Sequence, residues 1–544
     1  MQYPSFAVLL CCCASVVGVC ITTLRGAMEP LTIGLLLSVV SVVLYMLVSN
    51  KHAPYRLPPG PRGVHSLRVL LDAMLSGKLH LEAENWAKQY GEVVLCKVPG
   101  RNIVFLNSSR AIREVYSSKD REHVTNDRPH TFSGWFTMHR YSDVILGSPT
   151  DPRWTKLRKL FHSSIRFYGD GVERFESTVQ IELRRLTERV LATETVTSPS
   201  EHAQSRGGIV ERELNMSDLT SYSLLCVLSV LLTGECPEPD ADVVQRIKKF
   251  DRDVNILFNP STDGMMTALP FLRHLPGYYR NVCRNVERSR ADLMDTLFTE
   301  AKQTRQPGQP RGIVDVLLEE QDKAQGDWLT DTHIQCVIMD TVITAYLTSR
   351  ETLLDLFLYL QHLPEVTRKI QAEVDHSIGD RMPRIEDKSN LPYTEAVILE
   401  VLRHSSFIPL GVPHECREAI VYNEMTIPKG SLLFANTWVC HQDPNAFEDP
   451  TDFRPERFLD DSGRLILATN PLRQNLLSFG AGKRACPGEN FARTRVFLYV
   501  TTLLQKFDIL PPVKHELLPL QRDSWDSGAM LHLKPYHCVL RNRV

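Results

Sequence analysis

The chain has 544 residues, 43% of them hydrophobic and 23% charged, with a formal net charge of −2. That composition is globular and long enough to bury a large core, and its near-neutrality gives no reason to expect a nucleic-acid partner. The 13 cysteines are scattered without paired spacing, which suits a reducing compartment better than a secreted disulfide scaffold.

Two uncharged apolar stretches, residues 6–24 and 31–49, open the chain, and each approaches or reaches bilayer-spanning length. Arg25 and Glu29 separate them. Lys51, His52, Arg56 and Arg62 follow the second, a cationic flank that predicts a cytosolic side. The second stretch is read as a membrane anchor. The first is a second span, a cleaved signal segment or an artefact of the start site. Leu57-Pro-Pro-Gly-Pro61 then forms a stiff hinge, because proline fixes φ and denies helix continuation. Residues 51–63 are therefore a basic, proline-rich hinge, and residues 64–544 are expected to be one domain, mainly α with small β-sheets.

Residues 79–90 are predicted as a helix, 93–98 and 102–106 as a strand pair turned at Pro99-Gly100, and 111–117 as another helix. Residues 128–152 are irregular and aromatic. A helix over 153–163 carries Trp154 and Arg158, whose four-residue spacing puts indole and guanidinium on one face. Residues 193–208 and 303–312 are polar and aperiodic, and read as loops. A long helix opens after Leu329 and ends at Pro364. The next, from Leu391-Pro392 to before Pro409, carries Glu400 and Arg403 among apolar neighbours, which predicts a buried ion pair. His414 ends Val412-Pro-His, residues 431–436 read as a strand, and Arg457 lies in Pro455-Glu-Arg-Phe458.

The decisive stretch is Phe479-Gly-Ala-Gly-Lys-Arg-Ala-Cys-Pro-Gly488. A helix over 489–505 follows, with Phe491, Val496, Phe497, Val500, Leu503 and Leu504 on its expected buried side. Cys486 thus stands just before a helix N-terminus, where the macrodipole favours a thiolate, the form a soft metal ligand needs. Gly482 and Gly488 allow close passage of backbone beneath a flat group, Phe479 offers an apolar plate, and Arg484 offers a cation for a carboxylate. A lone cysteine in a turn is usually structural. Here the filled pattern Phe-x-x-Gly-x-Arg-x-Cys-x-Gly outweighs that reading, and no C-x-x-C partner supports zinc.

That pattern resembles the haem-ligating loop of the cytochrome P-450 family, and the hinge resembles the anchor junction of its animal microsomal members. The group that includes aryl-hydrocarbon hydroxylases and steroid 17- and 21-hydroxylases is the most similar in flavour. The resemblance implies a cytochrome P-450 fold behind an N-terminal membrane anchor, with haem b (iron protoporphyrin IX) ligated by Cys486. It implies propionate contacts from Trp154, Arg158, His414 and Arg484, and a structural Glu400–Arg403–Arg457 cluster. Where relatives place Ala-Gly-x-acid-Thr on the oxygen helix, this chain has Thr344-Ala-Tyr-Leu-Thr348. Thr348 keeps the catalytic alcohol, Ala345 replaces glycine and Leu347 replaces the acid. An apolar side chain cannot relay a proton, so oxygen use is expected to be poorly coupled unless substrate hydroxyls or ordered water substitute.

The resemblance further implies a monooxygenase on the cytosolic face of the endoplasmic reticulum membrane, acting on a small lipophilic substrate (a steroid, lipid or xenobiotic). Electrons would come from NADPH through cytochrome P-450 reductase, with cytochrome b5 as a further donor. Because of Leu347, two alternatives stand beside it: an isomerase or dehydratase of lipid peroxides, and a haem protein with little catalysis.

Overall fold

The computed structural model describes residues 55–543 apart from 99–100, 166–172, 193–209, 239–240, 326, 521–524 and 528–529. Both apolar N-terminal stretches and the 193–208 loop lie outside the described residues. The described chain is mainly helical with small sheets, as expected. After helix α1 (Leu79–Tyr90), strands β1 (Val93–Val98) and β2 (Arg101–Leu106) pair antiparallel, Val93 opposite Leu106. Alternation does not govern these strands: Val93 to Cys96 and Ile103 to Leu106 are all buried, because helices pack on both faces, while the hinge runs along the edge of β1, where Leu95 N–H donates to Pro59 O. Glycine at residue 60 is part of that cover, since a Cβ there would fall 2.1 Å from the Leu95 carbonyl oxygen.

Helix α2 (Pro152–Ile165) carries Trp154 and Arg158. Helix α3 (Met216–Thr233) is long and apolar enough to cross a membrane, yet most of it is buried inside the protein. It packs along helix α4 (Asp331–His362), which runs through the largest core cluster. Helix α5 (Pro392–Ser405) follows, and starts with proline in its first turn, where the missing N–H costs nothing. Strand β3 (His414–Glu415) joins β4 (Leu432–Ala435), and β4 runs parallel to β2, completing the sheet order β1-β2-β4-β3. Helix α6 (Glu489–Lys506) closes the core.

Helix α6 differs from its reading as a one-sided amphipath. Residues 494–505 are buried all round, polar ones included, while Phe491 is only half-buried. A helix enclosed on every side is a core element whose polar residues need specific partners. The nine described cysteines are all free.

Candidate active site

The loop before α6 is folded by its own backbone. Gly480 and Gly482 take left-handed φ values of +74° and +69°, and Cys486 N–H donates to the Phe479 carbonyl at 2.8 Å. Gly482 is constrained by more than its dihedral angle: a Cβ there would lie 2.4 Å from the Tyr116 carbonyl oxygen. Its immediate role is therefore to let the loop touch the Ser109–Ser117 helix. Gly488 has an ordinary φ of −99°, and a Cβ there would meet only the Cys486 sulfur, at 4.0 Å. Phe479 is half-buried against the core.

Cys486 is exposed, yet burial is the largest influence on its thiol and raises its pKa, with Glu489 adding to the rise. A group both accessible and desolvated faces a space enclosed by protein. The expected helix-terminus effect is present, in the Gly488 N–H and the Arg158 charge, but burial outweighs it. The side chain is thus a thiol until a cation arrives, and coordination would deprotonate it.

Three arginines converge beside this loop. Arg484 Nε donates to the Asn126 carbonyl at 2.9 Å and Nη2 to Gly147 at 2.5 Å. Arg128 Nη1 donates to the Val412 and Pro413 carbonyls, both at 2.8 Å. Arg158 donates to the Ala485 carbonyl at 3.0 Å. Trp154 is buried, its indole N–H donating to Val144 O at 2.9 Å, with the Arg484 guanidinium 4.3 Å from its ring centre. Burial first, then Arg128 and Arg158, pushes Arg484 down to about 9; burial first, with Arg158 adding to it, pushes Arg128 down to about 10. His414 is fully enclosed, stacked 3.9 Å from Tyr116, with Nδ1 donating to Thr125 O at 2.9 Å. Its pKa is held well below 6.5 by burial and then by Arg128. Mutually repelling buried cations are the setting a dianion would relieve.

The facing helix brings a second set of groups. Thr344 is exposed although α4 is otherwise largely enclosed, and Ala345 and Thr348 are half-buried beside it. Thr344 Oγ1 donates to Asp340 O at 2.7 Å and Thr348 Oγ1 to Thr344 O at 2.6 Å, leaving hydroxyl lone pairs free to accept. Leu347 is buried, and lines a groove with Tyr346, Arg350 and Asp251. Arg495 of α6 donates to Ala345 O at 2.8 Å and to Ser349 Oγ, tying the helix behind Cys486 to the middle of α4. Burial pushes this arginine down to about 10.

Glu400 lies at the centre of a fully enclosed cluster. It accepts from Arg403 through both carboxylate oxygens at 2.8 Å and from Arg457 at 3.1 Å, and the Arg454 N–H adds a fourth bond at 2.9 Å. The remaining guanidinium protons reach main-chain carbonyls of residues 441–452.

The structure thus brings Trp154, Arg158, Phe479, Arg484 and Cys486 together, with His414 beside Arg128, and sets Glu400, Arg403 and Arg457 apart as one cluster. Sequence reasoning missed Arg128 and Arg495. Arg128 sits in an aperiodic loop without a motif, and Arg495 looked like a solvated position on an amphipathic helix. The residues fit a haem: a soft donor faces an enclosed space, three arginines whose hydrogen bonds go to main-chain carbonyls stand beside it, and a helix with accessible small residues is tied to it. Elsewhere Glu182, Cys226 and Cys236 offer ligand atoms within 4.8 Å of one another, but Arg189 and Arg185 already bind the carboxylate and one thiol.

Comparison with known proteins points the same way. The family model described as Cytochrome P450 matches residues 58–539. Cytochrome P450 2B4 of Oryctolagus cuniculus is 29% identical over 495 residues, 89% of this chain and 94% of that protein. Farnesoate epoxidase of Bombyx mori is 27% identical over 514 residues, covering 92% and 97%. Steroid 17-alpha-hydroxylase/17,20 lyase of Ictalurus punctatus is 27% identical over 474 residues, covering 86% and 88%.

Proposed function

The chain belongs to the cytochrome P450 family, whose members are haem-thiolate monooxygenase oxidoreductases, and from that premise we propose a membrane-bound enzyme that inserts one oxygen atom into a small lipophilic substrate. The observation that carries the reading is the exposed yet desolvated Cys486 thiol beside the Arg128–Arg158–Arg484 cluster. When bound, haem supplies oxygen activation, with the Cys486 thiolate donating electron density that favours O–O cleavage. Arg158, Arg484, His414 and Arg128 would hold the propionates, whereas Trp154, expected to join them, spends its indole N–H on Val144 O and instead packs its ring against Arg484. Phe479 packs beside the loop, Gly482 and Gly488 keep its backbone close, and Thr348 presents its hydroxyl to the oxygen site. Glu400, Arg403 and Arg457 brace the fold. Electrons come from NADPH through a reductase, with cytochrome b5 as an additional donor.

The epoxidase and the steroid hydroxylase among the relatives make lipids and steroids the first substrates to try. A membrane location is supported by a cluster of exposed apolar side chains. Leu71 and Leu75 end one helix, and Leu269, Phe271, Leu275 and Tyr278 follow a helix that packs against it. With the basic hinge and the apolar stretch at 31–49, this patch supports a domain lying against the cytosolic face of the endoplasmic reticulum membrane.

Leu347 favours a second reading, a peroxide isomerase or dehydratase needing no external electrons. Purified protein should be given lipids, steroids and hydroperoxides with and without NADPH and reductase. NADPH-dependent product supports the monooxygenase, and NADPH-independent consumption of a hydroperoxide supports the second reading. A substrate-induced spin-state change without turnover in either condition would reduce the protein to a ligand binder.

A further inference from the structure

Two carboxyl groups lie where the irregular 138–147 loop crosses α4. Asp143 and Asp340 are 1% and 2% exposed. One oxygen of each is engaged by main chain: Asp340 Oδ2 accepts from Val144 N–H at 2.8 Å, and Asp143 Oδ2 accepts from Ile145 and Leu146 at 3.1 and 2.6 Å. The other oxygen of each, Oδ1, is buried without a donor. Asp143 lies within hydrogen-bonding reach of Asp340 and, after burial, raises the affinity of Asp340 for a proton. Two acceptors enclosed together without a donor form a satisfied pair only when one of them is protonated.

We propose that Asp143 and Asp340 share one proton, and that this pair serves Thr348 as the proton donor in place of the acid missing at Leu347. The proposal rests on the monooxygenase reading above. Asp340 is one turn before Thr344 and two before Thr348, so the three side chains share a stripe of α4. Both threonine hydroxyl protons are committed to the carbonyl four residues back, which leaves lone pairs facing the exposed side of the helix. Neighbours four apart stand about 5–6 Å from Cβ to Cβ, a gap that one bridging water closes. A proton leaves the pair for the first water; each hydroxyl accepts a proton from the water before it, turns from its carbonyl to give its own to the next, and solvent restores the pair. No electrons move in this step.

The surroundings suit a group protonated near neutrality. Burial raises Asp143 to about 6 and raises Asp340 well above the ordinary carboxylate range. Arg484 and Arg128 act on Asp143 and Arg158 on Asp340, while the Cys336 thiol and the Tyr141 hydroxyl face the pair as neutral groups. The loop carrying Asp143 is also held unusually. His139, Arg140 and Tyr141 take left-handed φ values of +41°, +64° and +66°, which side chains disfavour. A purely structural latch would use the same hydrogen bonds, so the test must separate the proton from the fastening.

Asp143→Asn does this, because an amide N–H donates to Asp340 in place of the shared proton, which keeps the fastening and lets Asp340 stay ionised. Full-length protein at neutral pH should show the infrared carbonyl band of a protonated buried carboxyl, shifted in heavy water and absent from Asp143→Asn and Asp340→Asn. Asp143→Asn should keep full haem content and the thiolate carbon monoxide spectrum. With NADPH and reductase it should form product ~10²-fold more slowly while releasing peroxide, the scale of a lost positioned donor. Wild-type peroxide release should rise as pH removes the shared proton, and that of the variant should not follow pH. Absence of the band, or an Asp143→Asn protein with unchanged product, peroxide and pH profile, overturns the donor role. A wild type that shows the band but never consumes NADPH overturns the monooxygenase reading and the donor role together, leaving the shared proton intact. Should Asp340→Asn fail to load haem, Asp143→Asn alone decides the question.

Discussion

His414 lies among the cations proposed to hold the propionates. Burial, then Arg128, keeps its imidazole neutral in the folded chain, whereas in the unfolded chain it titrates near the ordinary value of about 6.5. The unfolded state therefore binds the extra proton below that pH. Stability from this residue is complete above about 6.5 and falls by up to about 1.4 kcal/mol per pH unit as acid is added. His414→Gln should remove that part of the slope in urea unfolding of haem-free protein between mildly acid and neutral pH. A variant whose pH slope matches wild type would show that His414 is not held neutral. His414 itself was legible as a strand-end histidine in a family-like tripeptide. Arg128 was not, because its contacts are to carbonyls at 412 and 413, far off in sequence, and no periodicity encodes such contacts.

Among the elements, those that obey local rules were read closely. Helix α1 and strand β1 match their predicted limits, since hydrophobic period and a bounding Gly or Pro are local facts. Helix α6 was found but its environment was misjudged, because Arg495 and Gln505 mimic a solvated face while bonding to main-chain carbonyls of other elements. The Glu400–Arg403 spacing suggested a pair, yet sequence alone could not supply the Arg454 N–H and the carbonyls that complete the cluster. That completeness makes the pair costly to break. Arg403→Met leaves Glu400 with half its donors, and should lower stability by roughly 3–5 kcal/mol, the cost of an uncompensated buried charge. Denaturant unfolding checks the loss, and haem content on expression should fall with it. A drop under about 1 kcal/mol, the scale of an exposed pair, would mean that Glu400 is not enclosed in solution.

For the whole molecule, the proposed membrane attachment draws on two features, one in sequence and one in structure. Removing residues 1–29 should leave the protein membrane-bound with its large domain open to protease on the cytosolic side. The chain shortened to begin at residue 51 should still bind phospholipid vesicles through the Leu71–Tyr278 patch. Phe271→Ser with Leu275→Ser, two large apolar side chains 54% and 50% exposed, should then weaken vesicle binding by tenfold or more, since each buries about 1.5–3 kcal/mol. Equal binding by both proteins would remove the patch from the account. The patch was invisible beforehand, because it forms from helices nearly two hundred positions apart. The central claim is narrower: Cys486 is the sulfur that ligates haem iron in this fold. The ferrous–carbon monoxide spectrum tests it most directly. Wild type should show the long-wavelength Soret band of thiolate ligation, and Cys486→His should bind haem without that band. A Cys486→His protein that retains it would place the ligand on another residue and contradict the account.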